Sequence, residues 1–181
     1  SMTGGCGWHY VEERDEWYFA TFLPFQPDLN YHNEEVKKEM FDTIRYWLAK
    51  GVDGFRLDIF NVIMKDPAFR NNPWSYRLIP NEENPDGFFQ QNKYTVNYHQ
   101  NYDFAKELRN VLNEYPNKFF VGEVFGNLKT IREYIGDQDG LHAVFIFEML
   151  KFKWNPKYFK TLISKIESHF QSPSFPVYVF S

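Results

Sequence analysis

Three features of this chain predict an α/β fold with a parallel sheet. Two short apolar runs, Gly54-Phe55-Arg56-Leu57-Asp58 and Phe119-Phe120-Val121-Gly122-Glu123, each close on a carboxylate. A helix-like amphipathic stretch precedes each run. Helix and strand patterns then alternate along the rest of the chain, and strands joined through helices run parallel. In such sheets the carboxyl-terminal strand ends form the face where ligands and chemistry collect. Asp58 and Glu123 are therefore expected on that face.

The elements follow in order. Residues 1–14 are Gly-rich and then polar, which reads as loop. Trp17 to Phe22 is aromatic enough for a strand, hairpin-paired with Gly7-Trp8-His9-Tyr10. Pro24, Pro27 and Asp28-Leu29-Asn30 form a structured loop. Asn33 is suited to cap a helix whose first turn carries Glu34 and Glu35, where the helix dipole favours acids. Val36, Met40, Phe41, Ile44, Trp47 and Leu48 share one face of that helix, and Gly51 sits where a terminating glycine belongs.

Val52 to Asp58 reads as a buried strand, followed by a short helical start over Ile59 to Lys65. Asp66 to Asn101 is irregular and rich in Asn, Pro and aromatics, among them Trp74, Tyr76, Phe88, Phe89, Tyr94 and Tyr98. A connection that long inside a domain is functional or disordered, and its aromatics favour an ordered, functional one. Phe104, Leu108, Val111, Leu112 and Tyr115 mark a second helix, ending before Pro116. Phe119 to Glu123 is the next strand. Asn127 caps a helix carrying Leu128, Ile131 and Ile135, which Gly136 stops. Ala143 to Phe147 is a strand, Phe159, Leu162, Ile163 and Ile166 line a helix, and Pro176 to Phe180 is the last strand.

A length of 181 residues with 43% apolar content normally means one domain with ample core. Phe 20, Tyr 12 and Trp 5 make the chain aromatic-rich, through a Phe-rich core or as flat platforms for sugar rings. The net charge of −4 is spread without a basic stripe, which argues against nucleic-acid binding. No apolar run reaches the roughly 20 residues needed to span a bilayer, so no membrane association is expected. No signal peptide is visible, Ser1-Met2 reads as an expression remnant, and a cytoplasmic location is the default expectation. Cys6 is alone, and no Cys/His group has zinc spacing, so neither a disulfide framework, a metal nor a cofactor is expected.

Two carboxylates delivered from different strands suit acid/base and nucleophilic work on a sugar acetal. Strand alternation puts Arg56 on the same face as Asp58, where a guanidinium holds a carboxylate ionised and oriented. The alternative is a purely structural Arg–Asp ion pair. Val121, Val124 and Phe125 surround Glu123 with apolar groups that raise its pKa, as a general acid requires. The alternative there is a buried Glu paired with an Arg. Separation of the carboxyl groups by roughly 5–5.5 Å would give the retaining geometry. Asp28 and Asn30 organise a turn or belong to a binding loop. Asn61 caps the following helix or lines the site. His32, His99, His142 and His169 have no partner pattern, Asp103, Asp137 and Asp139 look like loop and helix-start acids, and Glu148 lies at a strand end.

Asp53-Gly54-Phe55-Arg56-Leu57-Asp58-Ile59-Phe60-Asn61 resembles the nucleophile-strand motif of the α-amylase family, glycoside hydrolase family thirteen. Gly122-Glu123-Val124-Phe125 resembles the motif that carries that family's acid/base. Gln26-Pro27-Asp28-Leu29-Asn30 is similar to its signature near the end of the small domain inserted after the third barrel strand, in the form closest to oligo-1,6-glucosidases, α-glucosidases and trehalose synthases. The resemblance spans essentially the whole chain. It implies a partial (β/α)8 TIM barrel, about strands four to seven with their helices. Residues 1–30 would end the inserted domain B and its connecting loop, and residues 31–181 would be a catalytic barrel truncated at both ends. It further implies Asp58 as nucleophile, Arg56 as its partner, Glu123 as acid/base, and Asn61 and Asp28 near the sugar, with an α-glucosidic oligosaccharide as substrate. At the position of Ile59 the family tunes α-1,4 against α-1,6 preference, and a bulky aliphatic leans toward α-1,6.

Some family features are absent from these residues. The Asp-…-Asn-His motif of the third strand and the His-Asp pair expected directly after the seventh are missing, the latter carrying the third catalytic acid. A whole barrel takes about 250 residues. The expectation is therefore a central fragment of a retaining α-glucoside hydrolase or transglycosylase, inactive in isolation. Its open sheet edges would favour self-association. The competing readings are a non-enzymatic relative of the family and a β/α enzyme that uses the two carboxylates for metal.

Overall fold

A computed structural model describes residues 5–76, 90–151 and 155–179. The chain divides into two units, Ser1–Glu39 and Met40–Ser181.

In the first unit, strands β1 (Trp8–Val11) and β2 (Glu16–Phe19) form an antiparallel hairpin with Trp8 opposite Phe19 and Tyr10 opposite Trp17. Every second-strand aromatic meets a ring across the ladder, with centroids 5.2 Å apart for Trp8–Phe19, 5.3 Å for His9–Tyr18 and 5.2 Å for Tyr10–Trp17. Such pairs are the stabilising unit of a hairpin. The turn closes through Asp15 in the left-handed region (φ 52°), whose carboxylate accepts from Tyr10 Oη at 2.6 Å. β2 stops at Phe19, short of the expected Phe22. Asp28 draws the chain away from the ladder there: its N–H bonds Phe19 O at 2.9 Å, and its carboxylate accepts from both the backbone N–H (3.1 Å) and the hydroxyl of Thr21.

Helix α1 (Glu34–Ala49) starts as the sequence implies, with Asn33 Oδ1 accepting from Glu35 N at 2.9 Å. It ends at Gly51, whose φ of +96° is open to glycine at no steric cost. Its apolar face is less buried than its periodicity predicts. Leu48 is its buried residue, whereas Trp47 is 48% exposed. The reason is where the helix docks. Arg45 clamps Glu114 with two bonds (2.7 and 2.6 Å) and Phe41 stacks on Phe104 at 5.7 Å, so the face through residues 41, 45 and 48 turns inward.

The second unit is built on strands β3 (Gly54–Leu57), β4 (Phe119–Gly122), β5 (Ala143–Ile146) and β6 (Val177–Tyr178). They form one parallel sheet in the order β3-β4-β5-β6. Helices α2 (Gln100–Asn113), α3 (Leu128–Glu133) and α4 (Pro156–His169) connect neighbouring strands. The alternation read from the sequence is thus a parallel sheet with crossover helices. Phe104, Leu108 and Leu112 of α2, Phe120 of β4 and Val144 and Ile146 of β5 are all buried, which makes β4 and β5 the core strands. Asn127 caps α3 by accepting from Thr130 N at 2.9 Å, and Asn155 caps α4 ahead of Pro156. Within the last strand prediction, Phe180 lies outside the described residues.

One local expectation here needs correction. The stretch after β3 is not the start of an α-helix: Ile59 is left-handed (φ 38°) and Phe60–Val62 is a single tight 3-10 turn. Its backbone groups are taken by distant partners instead, Phe60 N by Glu123 O at 2.8 Å and Met64 N by Asn101 Oδ1 at 2.9 Å. The long connection to α2 is ordered where it is described. Arg70 binds Asp66 through Nε at 2.7 Å and lies 4.4 Å over the Tyr94 ring, while Trp74 bridges to Gln90. Phe88 and Phe89 of that connection lie outside the described residues. Among the described residues, no helix is long and apolar enough to cross a membrane.

Candidate active site

β3 and β4 pair in register, Leu57 opposite Gly122, so the next residues along each strand are Asp58 and Glu123. The pairing needs Gly54, because a Cβ there would stand 2.0 Å from Phe119 O. Beyond the ladder two further bonds hold the strand ends together, Glu123 N to Leu57 O at 2.9 Å and Phe60 N to Glu123 O at 2.8 Å. The two acids therefore leave the same end of adjacent parallel strands.

Arg56 joins them. Its Nη1 donates to Asp58 Oδ1 at 2.5 Å, and its Nη2 donates to Glu123 Oε2. The Phe145 ring lies 5.9 Å from the guanidinium carbon and gives it an aromatic floor. The environments of the two acids differ sharply. The Asp58 side chain is 70% exposed, that of Glu123 only 13%. Burial pushes the Glu123 carboxyl above its ordinary pKa, and its hydrogen bond with Asp58 adds to the rise, against the opposing pull of Arg56. That same hydrogen bond, followed by the bond from Arg56, holds Asp58 below the usual carboxylate range. The two shifts are opposed, so Glu123 keeps its proton to higher pH than Asp58 does. Both carboxyls bind the one guanidinium of Arg56, which gathers them at a single site.

Ile59 contributes a group that the sequence did not reveal. Its left-handed backbone turns its N–H onto the Glu123 carboxyl. A β-branched residue at positive φ is strained, and such strain concentrates at functional sites.

Asn61, expected to cap a helix or line the site, lies in the turn that follows Asp58. It is fully buried in the 3-10 turn, and its Nδ2 donates to Phe125 O at 3.1 Å. Asn97 and Asn101, passed over in the sequence, share this role. Asn97 Nδ2 reaches the same carbonyl at 2.9 Å, and Asn101, also fully buried, ties Met64 and Tyr98. The signal that would have found them is asparagine spaced i, i+4 at the entry of α2. Asp28 lies in the first unit, where Thr21 engages its carboxylate, the turn-organising option left open above. His142, read as unpartnered, accepts from Phe120 N at 3.2 Å through Nδ1. Glu148 pairs with Lys165 at 3.6 Å.

A polar depression of about 440 Å³, lined by Arg132, Asp137, Ser168, His169 and Ser174 among others, is formed by the turns leading into β5 and β6. Those turns are at the amino-terminal ends of the strands, opposite to Asp58 and Glu123.

An Arg-bridged pair of acids with opposed proton affinities, at the carboxyl ends of neighbouring parallel strands, defines a two-carboxylate site on a β/α scaffold. The profile of the family described as "Alpha amylase, catalytic domain" matches residues 1–172, and the chain belongs to that family. Among its relatives, a probable alpha-glucosidase of Rhizobium meliloti is 36% identical over 160 residues, covering 83% of this chain and 28% of the relative. An oligo-1,6-glucosidase of Heyndrickxia coagulans is 35% identical over 160 residues, covering 86% of this chain and 27% of the relative. The chain thus spans between a quarter and a third of the length of these curated relatives. The crystal structure of XgtA, an alpha-glucosyl transfer enzyme, superposes with a TM-score of 0.84 at 32% identity, over 100% of this chain and 35% of that one.

Proposed function

We propose that Asp58 and Glu123 are the nucleophile and the acid/base of a retaining α-glucoside hydrolase, and that β3 to β6 are strands four to seven of its (β/α)8 barrel. The observation that carries this reading is two acids at the ends of adjacent parallel strands, one exposed and one buried, held by one guanidinium and with pKa values shifted in opposite directions. Glu123 protonates the glycosidic oxygen as the bond to the anomeric carbon breaks. Asp58 attacks that carbon and forms a glycosyl ester. Glu123, now a carboxylate, takes a proton from water as the water attacks the anomeric carbon, which breaks the ester bond and releases the Asp58 carboxylate. Exposed Asp58 swings out of its contact with Glu123 to admit the sugar, and Arg56 keeps both groups on the approach side. Asn61 and Asp28 serve by holding backbone in place. The guanidinium between the acids supports this chemistry over the competing use of the pair for metal, since it fills the place a cation would take.

A second reading has its own support. The relative named an alpha-glucosyl transfer enzyme is 32% identical. The same ester, attacked by a sugar hydroxyl in place of water, gives transfer, and an isomerase of the trehalose synthase kind would use it too. Because the chain spans only 28% of its glucosidase relative, activity is proposed for the protein that carries these residues. Residues 1–181 alone are expected to show no turnover of nitrophenyl α-glucoside.

The test is covalent capture. The full-length protein, incubated with an activated 5-fluoro-α-glucoside, should gain one glycosyl mass on the peptide containing Asp58, and D58N should gain none. Label on another acid, or none despite turnover, would refute the assignment. Product analysis on isomaltose, maltose, sucrose and trehalose then separates hydrolysis from transfer, with Ile59 leaning toward the α-1,6 substrate.

A further inference from the structure

Glu123 is the last residue held by the sheet before residues 123–127 cross to α3. On the β3 side its backbone is pinned by Leu57 O and Phe60 N, at 2.9 and 2.8 Å. On the other side the chain leaves the ladder, and its path is set by whatever holds Phe125. Two amides converge there. Asn61 Nδ2 and Asn97 Nδ2 donate to the same oxygen, Phe125 O, at 3.1 and 2.9 Å. Asn97 N also donates to Asn61 O at 2.8 Å, which closes the three segments into one ring of bonds.

The orientation of Asn97 follows from its partners. A carbonyl accepts only, so the nitrogen of the amide must face Phe125. The oxygen accepts from Tyr134 Oη at 3.0 Å, and Tyr134 is fully buried. The backbone of Asn97 is left-handed (φ 51°), which Asn tolerates better than other non-glycine residues. Close by, Gly126 leaves no room for drift, because a Cβ there would meet Thr130 Cγ2 at 2.9 Å and Asn97 Nδ2 at 3.6 Å. The long β3-to-α2 connection thus ends in a side chain whose one donor holds the carbonyl two residues beyond Glu123.

We propose that Asn97 is a positioning residue for Glu123: through Phe125 O it fixes the loop that aims the acid at the leaving-group oxygen. This rests on the reading of Glu123 as acid/base given above. A general acid contributes in proportion to its leaving group's need for a proton, and a misplacement of about 1 Å costs on the order of 10²-fold. Loss of the clasp therefore spares substrates with good leaving groups and slows those with poor ones.

The experiment compares kcat/KM of the full-length protein on 4-nitrophenyl α-glucoside and on isomaltose. Two variants are measured, Asn97→Gly, which keeps the left-handed backbone, and Asn97→Asp, which keeps the acceptor for Tyr134 and loses the donor. The expected result is roughly a tenfold or greater loss on isomaltose with nitrophenyl turnover within about threefold of wild type. Equal losses on both substrates, or no loss in either variant, would overturn the proposal. Glu123→Ala separates the two layers of inference. If E123A is leaving-group-selective and the Asn97 variants are not, the positioning role falls and the acid assignment stands. If E123A itself lacks selectivity, the acid assignment fails and takes the positioning role with it.

Discussion

Asp58 and Glu123 are gripped by the two arms of the Arg56 guanidinium; burial raises the pKa of Glu123, while exposed Asp58 is held below the usual carboxylate range by its interaction with Glu123 and by Arg56. Across such a pair the two required protonation states coexist in the pH interval between the lowered and the raised pKa. Glu123 loses its proton as pH rises through its raised pKa, which sets the alkaline limb of activity. Asp58, with a lowered pKa, stays ionised until pH falls below the ordinary carboxylate range, which sets the acid limb. A bell-shaped kcat/KM profile is expected. E123Q should lower kcat on unactivated α-glucosides by about 10²- to 10⁴-fold and remove the alkaline limb; an unchanged limb would show that another group sets it.

Arg56 lowers the pKa of both acids. A lysine supplies one point charge where the guanidinium supplies a fork. R56K should move both limbs of the pH profile upward and cut kcat/KM about tenfold or more. Limbs that stay in place would mean that the guanidinium does not tune the acids.

Ile59 keeps its left-handed backbone at a steric cost of about 1–2 kcal/mol. Glycine relieves that cost, so I59G should unfold within about 1 kcal/mol of wild type, where deleting a comparable aliphatic from a core costs about 2–5 kcal/mol. Urea unfolding checks this, and a core-sized loss would count against strain at residue 59.

Gly54 faces Phe119 O too closely for any side chain. G54A should pry β3 from β4, cost at least about 2 kcal/mol in chemical unfolding, and separate the two acids. A stable, active G54A would contradict the register.

His142 accepts from Phe120 N, and burial, with Arg109 nearby, lowers its pKa from 6.5 to about 4. The unfolded chain binds the proton more readily, so the stabilisation is complete above about 6.5 and is lost as pH falls toward 4. The melting temperature should decline over that window. H142Q, which offers an acceptor that does not titrate, should decline less steeply. Parallel curves would remove His142 from the account.

The strands, the helix starts at Asn33 and Asn127, and the two acids were legible because each depends on local patterning, apolar runs or a cap followed by a helix. The stretch after Asp58 was misread for the opposite reason. Its backbone partners, Glu123 and Asn101, lie far away in sequence, and no local propensity encodes them. The exposure of Trp47 was hidden in the same way, since docking through Arg45 and Glu114 chose which edge of an apolar stripe turned inward.

The sequence by itself determined the alternation of helix and strand, the two strand-end carboxylates and the arginine beside one of them, because near neighbours along the chain govern those features. Only the tertiary structure decided that one guanidinium spans both carboxyls, that one is buried and the other exposed, and that two distant asparagines brace the loop between Glu123 and α3. Desolvation and hydrogen bonding depend on which groups meet in space, and that meeting exists only once the parallel strands are in register.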